Sequence, residues 1–199
     1  MEVNKNGGDN TLRTFLAIDG NSELIELQKE TIQKLEKTGF KANWAKPENI
    51  HLTLFFLGYQ TMHSIAEAAY KLGERVSGFP TFVFDVLDLG YFEFKEEPKV
   101  IWYGVSEVKK LTGLYSEIKS GLISSGLDMK SETFVPHITV GRVKKCPEHW
   151  KNIIETINFE SIKIPVSSVG IYSSKLTKSG PIYTKLYTID FEGGVIING

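Results

Sequence analysis

Pro47-Glu-Asn-Ile-His51-Leu-Thr53-Leu-Phe-Phe-Leu-Gly58 is the stretch on which the reading of the fold turns. With the two-residue period of a strand, His51, Thr53 and Phe55 share one face, and Leu52, Leu54 and Phe56 share the other. The second face is apolar throughout and belongs in a core. The first carries an imidazole and a hydroxyl one side chain apart, an unusual load for a buried surface. A strand histidine beside a threonine is by itself ordinary hydrogen-bonded structure. Residues 136–140, however, read Pro-His-Ile-Thr-Val, so His137 and Thr139 share a face while Ile138 and Val140 oppose them. Two of the chain's four histidines thus sit in one repeated His-apolar-Thr-apolar pattern. The repetition is the signal.

Upstream of the first motif, residues 12–18 form a strand closed by Asp19-Gly20. Asn21 or Ser22 caps a helix with Glu23 and Glu26 in its first turn, an apolar stripe of Leu24, Leu27, Ile32 and Leu35, and Gly39 as its stop. Residues 40–45 are a short extended piece carrying Trp44. A second helix spans about 62–76 through Ile65, Ala69, Leu72 and Val76. Strands at 81–89 and 99–105 are joined by an aromatic, acidic loop from Gly90 to Pro98. The third helix carries Val108, Leu111, Tyr115, Ile118 and Leu122, with Ser106 as cap and Gly126 as stop. The His137 strand ends near Val143, and a short helix begins at Pro147. Two closing strands, about 160–172 and 182–191, flank a Ser/Lys-rich loop that ends at Gly180-Pro181.

This order lacks the regular strand–helix alternation of a doubly wound sheet, and no glycine-rich loop stands ready to cradle a phosphate. Each half instead contributes a helix, sheet and one His-x-Thr strand. The expectation is an α+β fold, a single domain over 1–199 with two duplicated lobes. Antiparallel sheets flank a central cleft, helices lie outside, and residues 1–10 form a flexible leader. The 199 residues are 41% hydrophobic and 24% charged, enough to build a sizeable core. A net charge of −1 argues against a protein that coats long nucleic acid, though a strand end or single nucleotide could be held by local groups. The lone Cys146 excludes an intramolecular disulfide framework and fits a reducing cytoplasm. No apolar run is long enough for a membrane span or resembles a signal peptide. A soluble cytoplasmic monomer is expected.

The paired motif limits the chemistry. Zinc takes three or four ligands at characteristic spacings, and neither His51 nor His137 has a partner so placed, so no metal and no cofactor are expected. A threonine nucleophile needs one hydroxyl and a strong base, not two matched pairs. Two histidines suit complementary proton transfers near neutrality. Thr53 and Thr139 then supply neutral donors to the non-bridging oxygens of a phosphate. His63 and His149 stand at helix starts and read as surface residues.

Two His-x-Thr-apolar motifs in the halves of a roughly 200-residue chain resemble the 2H phosphoesterase superfamily. The similarity is strongest to its RNA 2′,3′-cyclic phosphodiesterase, or 2′-5′ RNA ligase-like, branch. It covers nearly the whole chain, from Arg13-Thr-Phe-Leu-Ala-Ile-Asp19 and Trp44–Gly58, through Pro98–Val105 and Phe134–Val143, to Tyr172–Tyr183. The chain departs from that pattern at Phe55, at Tyr59 after Gly58, and at Asp19-Gly20-Asn21. The resemblance implies a metal-free cleft that opens the 3′ P–O bond of a cyclic phosphate and leaves a 2′-phosphate. In that scheme His137 activates water and His51 protonates O3′, although the residues themselves do not assign the two roles. The substrates implied are RNA ends or cyclic nucleotides. The alternatives are a binding module without turnover and a sibling that acts on or makes 2′-5′ linkages. Arg142 matches an arginine associated with substrate binding, yet strict alternation sets it opposite His137 unless the strand bulges near Gly141. Phe15 and Phe55 are candidates to stack on a base, whereas Phe56 is assigned to the core. Trp44, Trp102 and Tyr183 read as core or cleft wall.

Overall fold

The computed structural model describes residues 10–128, 133–178 and 180–198. In order they form β1 (Thr11–Asp19), α1 (Ser22–Lys37), β2 (Lys41–Trp44), a 3₁₀ turn (Pro47–Asn49), β3 (His51–Thr61), α2 (Met62–Val76), β4 (Phe82–Phe94), β5 (Glu97–Val105) and α3 (Val108–Ser124). Then follow β6 (Ile138–Lys145), α4 (Trp150–Thr156), β7 (Ile162–Val166), β8 (Ser168–Thr177), β9 (Gly180–Asp190) and β10 (Val195–Ile197). The strands form one curled antiparallel sheet in the order β10-β9-β8-β1-β3-β6-β5-β4-β7, with β2 on the side of β6. Its two halves meet where Leu52 of β3 pairs with Ile138 of β6. The α+β architecture with two antiparallel lobes and outer helices is therefore present, and the two His-x-Thr strands are its innermost pair.

Two of the helices, α1 and α3, cross between lobes. α1 leaves β1 of the first lobe and packs on the second. There the buried Gln28 donates to the Ala45 carbonyl at 3.0 Å, and Asn21 donates to Lys163 of β7 at 3.0 Å. Asn21 also accepts the Leu24 N–H at 2.9 Å as the expected cap. α3 leaves β5 of the second lobe and packs on the first, where Tyr115 stacks on Phe55 of β3 at 4.1 Å and Glu117 pairs with Arg75 of α2 at 2.7 Å. α4 stays on its own lobe, with Trp150 edge-on to Tyr91 of β4.

Four local expectations are corrected, the briefest being that α4 starts at Trp150 and not at Pro147. The segment Gly90–Pro98 is a hairpin, not a loop: β4 runs to Phe94, β5 starts at Glu97, and Lys95 and Glu96 turn the chain with φ of 53° and 61°. Those are the left-handed angles of a tight two-residue turn, which the pair Lys-Glu does not advertise. The Ser/Lys-rich segment before Gly180 is likewise mostly strand, since β8 reaches Thr177 and pairs with β9 down to Gly180, and the first closing strand breaks at Ser167. Ser106 does not cap α3. It accepts the Asp85 N–H at 2.7 Å on β4, and Glu107 precedes the helix in the left-handed conformation.

Candidate active site

The concave face of the sheet collects the motif side chains because of where β3 and β6 touch. If the Leu52–Ile138 pairing is extended by one residue each way, His51 stands opposite Thr139 and Thr53 opposite His137. The four side chains occupy the corners of a square about a local two-fold axis, with histidines on one diagonal and threonines on the other. Diagonal neighbours in such a ladder are about 7–8 Å apart.

Each histidine is held the same way. His51 Nδ1 lies 2.6 Å from the Asn49 carbonyl oxygen, and His137 Nδ1 lies 2.7 Å from that of Val135, in both cases two residues upstream. A carbonyl can only accept, so each Nδ1 carries a proton and Nε2 is left for chemistry. Thr53 Oγ1, 3.0 Å from His51 Nε2, donates to that nitrogen when the ring is neutral. Aromatic rings fix both imidazoles sideways. His51 lies 5.0 Å from Phe15 and 5.5 Å from Tyr183, and His137 lies 5.1 Å from Phe92 and 6.1 Å from Trp102. Burial lowers the proton affinity of His51, partly offset by its bond to Asn49 and by the charge of Asp19. Asp19, paired with His51 across β1 and β3, accepts hydrogen bonds from the Tyr172 hydroxyl and Lys185. Burial and that bond push the Tyr172 phenol well above its ordinary range.

The two motif strands share a further irregularity. In β3 Ala17 pairs with Thr53 and Leu16 with Phe55, which leaves Leu54 as an extra residue. In β6 Trp102 pairs with Thr139 and Ile101 with Gly141, which leaves Val140 extra. Each bulge falls three residues after its histidine and inverts the alternation beyond it. Arg142 consequently shares the face of Thr139 and lies near Tyr183, whose phenol feels the charges of Arg13 and Arg142. In β3 the same inversion exchanges the two phenylalanines. Phe55 is 5% exposed against α3, and Phe56, at the position equivalent to Arg142, is 65% exposed. The expectation of Phe55 in the cleft and Phe56 in the core is thereby reversed. Phe15 does face the cleft, but at 3% exposure it lies beneath His51, Tyr172 and Tyr183 and offers no ring face to a base. Trp44 is on the outer side, its indole donating to Glu36 of α1 at 2.8 Å.

Sequence reasoning missed the Asp19–Tyr172–Lys185 cluster and the paired aromatic supports, because they come from strands distant in sequence. Their only trace was the alternation Tyr183, Lys185 within the last long strand. Among the described residues no group of three or more His, Cys, Asp or Glu side chains is placed to hold a metal ion. No described helix is long and apolar enough to cross a membrane.

A duplicated antiparallel fold that sets two tautomer-locked histidines on its two innermost, facing strands defines a two-histidine class of protein. A family model for the 2′-5′ RNA ligase superfamily matches residues 24–177, and the chain belongs to that superfamily. An RNA 2′,3′-cyclic phosphodiesterase of Thermotoga maritima is 49% identical over 185 residues, covering 93% of this chain and 98% of the relative. A protein of the same name from Archaeoglobus fulgidus is 32% identical over 177 residues, covering 88% and 98%. Among solved structures, a Thermus thermophilus protein superposes with a TM-score of 0.72 at 21% identity, covering 92% of this chain and 99% of its own. E. coli LigT complexed with 3′-AMP gives 0.68 at 23% identity, covering 89% and 96%. At those identities the structures speak for the fold.

Proposed function

We propose that this chain hydrolyses 2′,3′-cyclic phosphate ends of RNA or nucleotides to 2′-phosphates without a metal ion. The observation that carries this reading is the matched pair of histidines, each with Nδ1 tied to a backbone carbonyl, on one diagonal of a square whose other diagonal is two threonines. The name shared by the T. maritima and A. fulgidus relatives supports the substrate.

The cyclic phosphate sits above the Leu52–Ile138 pair. His137 Nε2 takes a proton from water as the water oxygen bonds to phosphorus. His51, protonated on Nε2, gives its proton to O3′ as the P–O3′ bond breaks, and the 2′-phosphate is left. One water is consumed, and the two histidines return to their starting states through solvent. Burial makes protonated His51 a stronger acid, while the anionic phosphate helps to load it. Once Nε2 is protonated it no longer accepts from Thr53, whose hydroxyl is then released to a phosphate oxygen. Thr139 and Arg142 serve the remaining charge. The protein works as a cytoplasmic monomer in this reading, with Cys146 unpaired.

The test uses wild type, His51→Ala, His137→Ala and the double variant on a 2′,3′-cyclic nucleotide in EDTA. Wild type turns over despite the chelator. Each single variant loses about 10²–10⁴-fold. The double variant falls well short of the product of the losses, because the two groups serve one displacement. Binding without release of a phosphomonoester makes the chain a binding module. Activity lost in EDTA and restored by Zn²⁺ or Mn²⁺ overturns the two-histidine mechanism.

A further inference from the structure

The cleft wall of the second lobe carries more aromatic surface than one nucleotide requires. In β4 the residues that alternate onto the cleft face are Gly90, Phe92 and Phe94, because Gly90 pairs with Trp102 and Phe92 with Val100. Trp102 is the neighbour of Thr139, and its ring lies so close over Gly90 that a Cβ there would come within 2.2 Å of it. Phe92 touches both Trp102, at 5.3 Å, and His137, at 5.1 Å, and is 37% exposed. Phe94, two residues further out, is 62% exposed at the hairpin tip, with the Lys95 ammonium 5.5 Å from its ring centre. Lys95 has no ion pair among the described residues, and the carboxylate directly opposite Phe94, Glu97, is neutralised by Lys99 at 2.6 Å. On the outer face of the same hairpin, Glu93 is tied to Lys151 of α4 at 2.9 Å, which steadies the strand from behind.

A row of rings thus leads away from His137. Neighbours two apart on a strand are about 7 Å from each other. That is about twice the per-strand rise of a stacked duplex, so the row fits an unstacked single strand. Rings that accept any base, beside a cation for the backbone, are how proteins hold single-stranded nucleic acid.

We infer that the β4–β5 hairpin is a track for the RNA chain on the 5′ side of the cyclic phosphate, with Phe94 stacking a base upstream of the terminal nucleotide. The inference rests on the function proposed above and names its substrate class: an oligonucleotide in preference to a mononucleotide.

The test compares kcat/KM for adenosine 2′,3′-cyclic phosphate with that for a penta-adenylate ending in the same group, in wild type, Phe94→Ala and Phe94→Trp. Wild type favours the oligonucleotide by at least about fivefold, the low end for one base–aromatic stack. Phe94→Ala abolishes most of that preference while mononucleotide turnover stays unchanged, and Phe94→Trp restores it. Equal use of both substrates by wild type, or an equal loss on both in Phe94→Ala, overturns the track. So does a change of oligomeric state in Phe94→Ala with the preference intact, which would make the ring a contact between copies of the chain. Failure of wild type to open either substrate overturns the proposed function itself, and is told apart by the mononucleotide assay.

Discussion

Asp19 shows how one side chain can set the proton economy of the site from outside it. Its charge raises the proton affinity of His51, against the larger lowering by burial, and Lys185 neutralises part of that charge. Tyr172 binds the same carboxylate, and Tyr183 lies on the histidine's other flank. Asp19→Asn removes the raising influence, so the limb of the kcat/KM profile that belongs to His51 shifts to lower pH. Lys185→Met leaves the carboxylate unneutralised and shifts the same limb to higher pH. A profile that moves in the same direction in both variants defeats this account. At the neighbouring position, Thr53→Val keeps shape but removes the donor that faces His51 Nε2. It should cost up to about 10²–10³-fold in kcat, the range for one lost hydrogen-bond donor to transition-state charge. Unchanged rates would make Thr53 a residue of the sheet alone. His51, Thr53, His137 and Thr139 were legible in the sequence because the repeated spacing marks them twice. Asp19 was not, because its partners Tyr172 and Lys185 lie more than 150 residues away.

At the scale of the strand, the bulges decide which side chains the cleft receives. A period of two is all that a sequence offers, and every inserted residue inverts it. Leu54 exchanges Phe55 and Phe56, and Val140 brings in Arg142. A third irregularity between Val86 and Leu89 turns Phe92 from the core side to the cleft. The helices were legible because their apolar spacing has no such discontinuity; α2 spans Met62–Val76 as expected. Gly141 shows what the second bulge demands. A Cβ there would lie 2.5 Å from the Trp44 ring and 3.3 Å from its Cα. Gly141→Ala should therefore destabilise the fold by about 1–3 kcal/mol, the usual cost of overpacking, as read from the urea midpoint. The β4–β5 turn points the other way. Lys95 and Glu96 hold left-handed angles that cost L-residues about 1–2 kcal/mol each. Lys95→Asn with Glu96→Gly supplies the pair such a turn prefers and should raise the melting temperature. No rise would mean that the flanking strands, not the turn, dictate the hairpin.

Taken whole, the molecule is laced together by its helices. α1 belongs to the first lobe by sequence and to the second by packing, and α3 does the reverse. α2 and α4 stay on their own halves, but each half needs a helix from the other to complete its cover. Unfolding in urea should be a single transition, with tryptophan fluorescence and far-ultraviolet dichroism superimposing. All three tryptophans, Trp44, Trp102 and Trp150, belong to the second lobe or its covering elements. A first lobe that melted separately would appear in the dichroism alone. The two-lobed plan could be read from the duplicated motif, but the crossing of the helices could not, since nothing in an amphipathic stripe names the sheet it will cover.

The lock on the histidines has a consequence for genetics. Its acceptors are the carbonyl oxygens of Asn49 and Val135, which every amino acid at those positions would supply. Saturation mutagenesis at residue 135 could return a flat landscape while the group that orients His137 remained indispensable. Tolerance there would measure the side chain and not the oxygen. Only an edit to the main chain reaches the lock. The bond after Val135 leads into Pro136, which has no ester counterpart, but the amide between Asn49 and Ile50 can be made an ester by chemical ligation. The ester carbonyl is the weaker acceptor, and the one donor lost with it is the Ile50 N–H to Pro47.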